Sequence, residues 1–358
     1  MSLRPGIALL CVSALALVVG LVVDIHSTLS AYLVAWIALG SIPIGALGVL
    51  MMSYLIRWNW TSALRPVLMA AAGALPLVAF LFVPILIWMA HVYPAASDPA
   101  SLKPFKVVYL APWFFALRTI VYFTIWSLLA LWLRLAGNSS ERMTRAASVG
   151  LIVYALTVSL AGVDWLESLE PDFHSSIYGL LFLGFTMLNG LAFGIAGGLL
   201  FRRRIGSRKA YSALLLSMIL VWAYLHGMQY LVIWSGNIPD EVTWYLERSS
   251  HGWQVVLTVL ALGQFVIPFF ALVVEKIRGD RNWLLGLCAL TLLMRCVEAA
   301  LLALPPLDHL HLFATCAMLS AGSLFVATAL WCMFDAALSG RVGALIGAGW
   351  LRAETGSK

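Results

Sequence analysis

Few side chains in this sequence could move protons or carry charge at depth in an apolar setting, and they cluster in three places. The richest is residues 162–179, GVDWLESLEPDFHSSIYG, which mixes acids with aromatics. Asp164 and Glu167 are three apart, so a helix continued through them puts both carboxylates on one face. Oxidising a quinol needs a hydrogen-bonding group at each ring oxygen, an acceptor for two protons, and aromatic or aliphatic walls. Asp164, Glu167, His174, Trp165 and Tyr178 suit that chemistry. The same composition also suits an interfacial belt in which Trp and Tyr anchor a bilayer edge and the acids face water, and composition does not separate the two.

The other places are single residues inside apolar runs, where an ionisable group costs at least ~2.5 kcal/mol and needs a partner. Arg118 falls about ten residues into one such run, near mid-depth at ~1.5 Å per residue, among Trp113, Phe114, Phe115 and Tyr122. Arg295 and Glu298 are three apart in another, so each can neutralise the other on one helix face, and Glu298 is a candidate proton carrier. His226 is the one histidine well inside an apolar run, and a lone histidine there reads more simply as a packing residue than as a ligand. No second histidine at depth supports haem, no Cys/His group has zinc or iron–sulfur spacing, and no Walker A lysine motif is present. The five cysteines all lie in apolar segments and read as small hydrophobes.

The elements that must position these groups follow from composition. The 358 residues are 62% hydrophobic and 11% charged, which excludes a water-soluble enzyme, a nucleic-acid binder and a secreted disulfide scaffold. A crossing of a ~30 Å hydrocarbon core needs about 20 apolar residues. Ten such runs are found, at residues 7–23, 32–56, 64–92, 107–133, 146–163, 176–200, 211–234, 253–274, 283–304 and 310–337. The first is read as a true span, because no small-x-small cleavage site follows it and Leu10 spoils a lipobox at Cys11.

Counting cations by alternate sides tests this segmentation. Seventeen of the 22 Lys and Arg fall on the side of the termini, three (Lys103, Lys106, Arg248) on the other, and Arg118 and Arg295 lie within runs. The positive-inside rule then predicts an all-α polytopic membrane protein with ten transmembrane helices and both termini cytoplasmic. Asp24, Asp98, Asp164, Glu167, Glu170, Asp172, Asp240, Glu241, Glu247 and Asp308 gather on the opposite side, called the acidic face below. Without a long insertion or an evident repeat, residues 1–358 read as one integral membrane domain, with two related halves left open.

Three local readings complete the pass. Pro43, Pro76, Pro84, Pro112 and Pro268 are expected to kink their helices. Gly190, Gly194 and Gly198 form a flat stripe suited to close helix packing. Asn237, Pro239 and the acids after it signal a short interfacial helix presenting Trp244 and Tyr245 to the membrane edge, with a docking surface as the alternative.

VDWLESLEP (163–171), SSIYG (175–179), WAY (222–224) and QYLVIWSGNIPDEVTWYL (229–246) together resemble the F-type membrane subunit of alternative complex III, a family of quinol:cytochrome c oxidoreductases within the polysulfide-reductase membrane-subunit superfamily. YLAPWFFALR (109–118) and WNWTSALR (58–65) add to the likeness, which reaches from the second run to the eighth. The resemblance implies two four-helix bundles, spans 2–5 and 6–9, with two peripheral helices. It also implies a bacterial inner-membrane respiratory complex containing a multihaem cytochrome, an iron–sulfur protein and a second ten-helix quinol-site subunit. Its members take part in electron transport and proton translocation, and the F-type subunit is called quinone-binding by similarity. Asp164 carries over as the motif acid, whereas DFHS (172–175) departs from the family's run.

The expectation is therefore a subunit with no covalently bound cofactor, contributing a quinone-side pocket, a proton path, or both near the outer face. Asp164, Glu167, His174, Trp165, Tyr178 and Arg118 are the quinone or proton-site candidates, and Glu298, Arg295 and His226 the proton-path candidates. Two alternatives stand beside it: a secondary transporter with an intramembrane Arg/Glu path, and a purely structural scaffold.

Overall fold

The structure is a computed structural model describing residues 3–56, 63–98, 104–136, 140–201, 207–250, 252–305 and 312–338. In hydrocarbon every backbone N–H and C=O must be satisfied within its own segment, so uninterrupted apolar runs become helices. In chain order they are α1 (Leu3–Val23), α2 (Ile25–Leu55), α3 (Arg65–Ala72), α4 (Leu75–Ile87), α5 (Pro94–Ser97), α6 (Pro104–Tyr109), α7 (Pro112–Leu135) and α8 (Ser140–Trp165). The second half holds α9 (Tyr178–Phe201), α10 (Arg208–Gly236), α11 (Pro239–Glu247), α12 (Trp253–Ala261), α13 (Ile267–Val273), α14 (Glu275–Arg278), α15 (Arg281–Ala303) and α16 (Leu312–Leu338). No strand occurs among the described residues, and ten helical segments are long and apolar enough to cross a membrane. The chain is an all-α polytopic membrane protein.

The expected two bundles are present. Crossings two to five (α2, α3 with α4, α7, α8) close a ring by neighbour packing, and crossings six to nine (α9, α10, α12 with α13, α15) close a second. They meet along α2 and α9; α16 lies against α2, and α1 lies outermost against α16. At the bundle junction a Cβ on Gly190 would strike the Gly45 and Ala46 backbone, and one on Gly45 would strike the Thr186 carbonyl. Gly194 and Gly197 continue the approach against Leu68 and Val67 of α3. Asn189 clasps the same junction, its Nδ2 donating to the Ala38 carbonyl at 2.7 Å and to Ser41 Oγ at 2.6 Å.

Several ends differ from those expected from hydropathy alone. Helix α2 starts seven residues early, because Asp24 caps it by accepting from the Ser27 N–H at 3.1 Å. Of the five prolines expected to kink helices, Pro43 and Pro84 are helix-interior and Pro268 comes just after a π turn inside the eighth crossing. Pro76 and Pro112 instead lie in the first turn of α4 and α7, where a missing N–H costs nothing. The chain before Pro76, Pro112 and Pro268 adapts: the third crossing breaks at Gly73–Ala74, the fourth at Leu110–Ala111, and the eighth widens into a π turn over Leu262–Val266.

The glycine junction yields a direct test. Gly190→Ala forces apart two helix backbones and is expected to cost about 1–3 kcal/mol. Gly286→Ala, where a Cβ meets nothing within 4 Å, should be neutral or mildly stabilising. Thermal unfolding of the two variants in mild detergent reads the difference.

Candidate functional site

Two buried charge centres and one cleft lie toward the acidic face. In the first bundle, Asp164 is one residue from the end of α8 and fully buried. Arg118 grips it with two parallel bonds, Nε to Oδ2 at 2.8 Å and Nη2 to Oδ1 at 2.9 Å, the fork geometry that guanidinium and carboxylate share. Tyr122 Oη donates to Oδ2 at 2.8 Å. The remaining arm of Arg118, Nη1, donates to the Tyr109 carbonyl at 2.7 Å, a group freed by the break ahead of Pro112. The guanidinium also lies 3.9 Å from the Tyr109 ring centre and 4.5 Å from that of Phe114. Since α7 begins at Pro112, Arg118 is less than two turns inside the helix end and not near mid-depth as its place in the apolar run implied.

The second centre is built on α15. Arg295 Nη1 pairs with Glu298 Oε2 across one turn, as their spacing requires. His226 Nε2 lies 2.9 Å from Glu298 Oε1, and Trp222 Nε1 donates to the same carboxylate at 3.1 Å. His226 is thus the partner of an acid rather than a packing residue, and Arg295 is sandwiched 5.1 Å from the Trp222 ring and 5.3 Å from that of Phe185. Around this centre the Gln229 and Gln264 amides, Thr291 Oγ1, and Arg295 Nε and Nη2 are buried without a hydrogen-bond partner among the described residues. Gln264 belongs to the π turn before Pro268.

The cleft has a volume of about 400 Å³ and is lined by Phe105, Lys106, Tyr109, Leu110, Val163, Glu167, Ser168, Pro171, Phe173 and His174. Helix α8 ends at Trp165 and a tighter turn, Glu167–Leu169, follows. That change of pitch separates the two acids expected on one face: Asp164 faces into the bundle, while Glu167 borders the cleft. Glu167 Oε1 accepts from the Ser175 N–H at 3.3 Å, and Lys106, whose Nζ donates to the Pro171 carbonyl, is 3.3 Å from His174 Nδ1. Tyr109 is shared, lining the cleft while stacking on the Arg118 that holds Asp164.

Two candidates from the sequence are elsewhere. Trp165 is fully buried in an aromatic core with Trp36, Phe82, Phe123 and Trp126, at ring-centre distances of 5.1, 5.1, 5.5 and 5.8 Å. Its Nε1 donates to Thr119 Oγ1 at 3.2 Å, so it packs beneath the site rather than walling it. Tyr178 is also buried, with its ring 5.8 Å from that of Phe173, and lies behind the cleft wall.

Arg248 was the group that sequence reading missed, having been assigned to an outer loop. It is almost completely buried, its Nη2 donating to Glu170 Oε1 at 2.7 Å and to the Leu302 carbonyl at 3.0 Å, and its Nε to the Leu301 carbonyl at 3.0 Å. Trp244, one turn back on α11, stacks 3.7 Å beneath it and lies 5.5 Å from the Phe173 ring, so this tryptophan points into the protein instead of to the membrane edge. Burial pushes the Glu170 carboxyl above its usual range, and Arg248 opposes that push. The Trp–x–x–x–Arg spacing on one helix face was the available signal.

No protein-family model matches this chain, and no curated protein matches its sequence. Fold and site together define a multi-pass helical membrane protein with three acid–arginine pairs near one face, Arg118–Asp164, Arg295–Glu298 and Arg248–Glu170.

Removing one partner of a buried pair strands the other charge. Glu298→Gln is expected to lower stability by about 3–5 kcal/mol, and an Arg295→Met/Glu298→Met double variant to recover much of it. Thermal unfolding of single and double variants in detergent checks both.

Proposed function

We propose that this chain is an integral subunit of a respiratory quinol:cytochrome c oxidoreductase of the alternative complex III type, in a bacterial inner membrane. Both termini are cytoplasmic in this reading, and the acidic face is outward. The carrying observation is the cleft in which Glu167 and His174 meet aromatic and aliphatic walls beside the Arg118–Asp164 centre. Its volume is within the range of small-molecule sites, about 300–1,000 Å³.

A quinol headgroup would lie between Phe105, Tyr109 and Phe173, with one oxygen toward Glu167 and the other toward His174. Oxidation removes two electrons and two protons. Glu167 and His174 are the proton acceptors, and the two electrons would pass to a redox group held by a partner subunit. Arg118 and Tyr122 hold the Asp164 carboxylate in place behind the Tyr109 wall of the cleft, which fixes that wall against the bundle. In the second bundle, Glu298 and His226 form a proton-exchanging pair. The amides of Gln229 and Gln264 and the Thr291 hydroxyl, without hydrogen-bond partners among the described residues, supply polar groups that water would complete, the composition a proton path requires.

Purification of the native chain in mild detergent, with optical spectra of whatever accompanies it, tests the assembly. A multihaem cytochrome and an iron–sulfur protein are expected to co-purify; a solitary colourless protein would favour a transporter. Within the purified complex, Glu167→Gln and His174→Ala should each slow quinol oxidation by about 10²-fold, the lower range of general acid–base contributions. Unchanged turnover in both variants removes the cleft from the reaction.

A further inference from the structure

A different pair of side chains, outside both charge centres and the cleft, has the geometry of a chelate. His26 is in the first turn of α2, and His91 ends the short helical turn Met89–His91 after α4. Although 65 residues apart in sequence, their ring centres are 4.8 Å apart with the planes inclined at 74°. We propose that His26 and His91 bind one divalent transition-metal ion of the zinc or copper class at the acidic face.

The tautomer comes first. His26 Nδ1 lies 3.1 Å from the His91 carbonyl oxygen, and a carbonyl only accepts, so Nδ1 carries the proton. The lone pair of His26 is then on Nε2, and a backbone carbonyl holding the opposite N–H is the arrangement that orients metal-binding imidazoles. That Nε2 lies 3.4 Å from His91 Nδ1. On its own this separation is that of a long hydrogen bond between the two rings. It also fits two nitrogens on one ion: bonds of about 2.0–2.1 Å at a tetrahedral angle separate the ligand atoms by roughly 3.3–3.4 Å.

Ligand chemistry narrows the ion. Two neutral imidazoles favour zinc, copper or nickel over magnesium or calcium, which take oxygen ligands. His26 is exposed and His91 half-buried, leaving room for water in the remaining positions, and no third His, Cys, Asp or Glu converges among the described residues. The bound ion would pin the start of α2 to the end of the third crossing. Two residues beyond His91, Tyr93 Oη donates to the Trp165 carbonyl at 3.0 Å, so the pinned segment also supports the end of α8.

The test uses the full purified chain, stripped with chelator and then titrated with Cu²⁺ alone and with Zn²⁺ alone. Cu²⁺ should bind in a saturable step with a paramagnetic-resonance spectrum showing two nitrogen ligands. His26→Asn and His91→Asn should each weaken that step at least tenfold and reduce the pattern to one nitrogen or none. In the unmodified chain, Zn²⁺ should protect His26 and His91 from imidazole acylation read by mass spectrometry, which needs no variant to fold. No saturable step, binding indifferent to both substitutions, or acylation of both histidines unchanged by Zn²⁺ overturns the proposal.

Discussion

The two bundles are joined where two helix backbones touch. Helices α2 and α9 cross where Gly45 and Gly190 leave no room for a side chain, and Asn189 holds the crossing with hydrogen bonds to α2. Between helices in lipid there is little hydrophobic drive, so close packing and buried hydrogen bonds must supply the association. Each bundle contributes one helix to that contact. Helices α8 and α15, which carry the two acids, each pack against both α2 and α9, so both charge centres are seated on that junction.

The centres share a plan. In each, an acid on the last helix of its bundle is held by an arginine and hydrogen-bonded by an aromatic side chain, Tyr122 for Asp164 and Trp222 for Glu298. Each acid also precedes a proline by seven residues, Pro171 and Pro305. The arginine differs in origin: Arg118 reaches Asp164 from a neighbouring helix, whereas Arg295 is on the same helix as Glu298. A pair within one helix is neutralised wherever that helix goes, but a pair between helices is neutralised only when both are docked. The first centre is thus the one tied to bundle geometry.

What the sequence made legible follows the same division between local and distant. Apolar runs gave the ten crossings because hydrocarbon admits little but helices, and the Arg295–Glu298 pair was readable because i,i+3 neighbours must meet. The Arg118–Asp164 bond spans 46 positions and the imidazole pair 65, and no periodicity encodes such distances. Trp165 and Glu167 were grouped as one pocket because the change from α helix to a tighter turn between them leaves no mark in composition. Trp244 was turned outward for a related reason: an aromatic on a short amphipathic helix reads alike whether it faces lipid or a buried arginine.

Arg248 bears on the order in which the molecule is made. Its bonds reach back 78 residues to Glu170 and forward 53 and 54 to the carbonyls of Leu301 and Leu302. A chain threaded into a bilayer one helix after another holds Arg248 without those carbonyls until the ninth crossing has entered. Its desolvation is then a late event of biogenesis, a lock that closes only once nine of the ten crossings are in place.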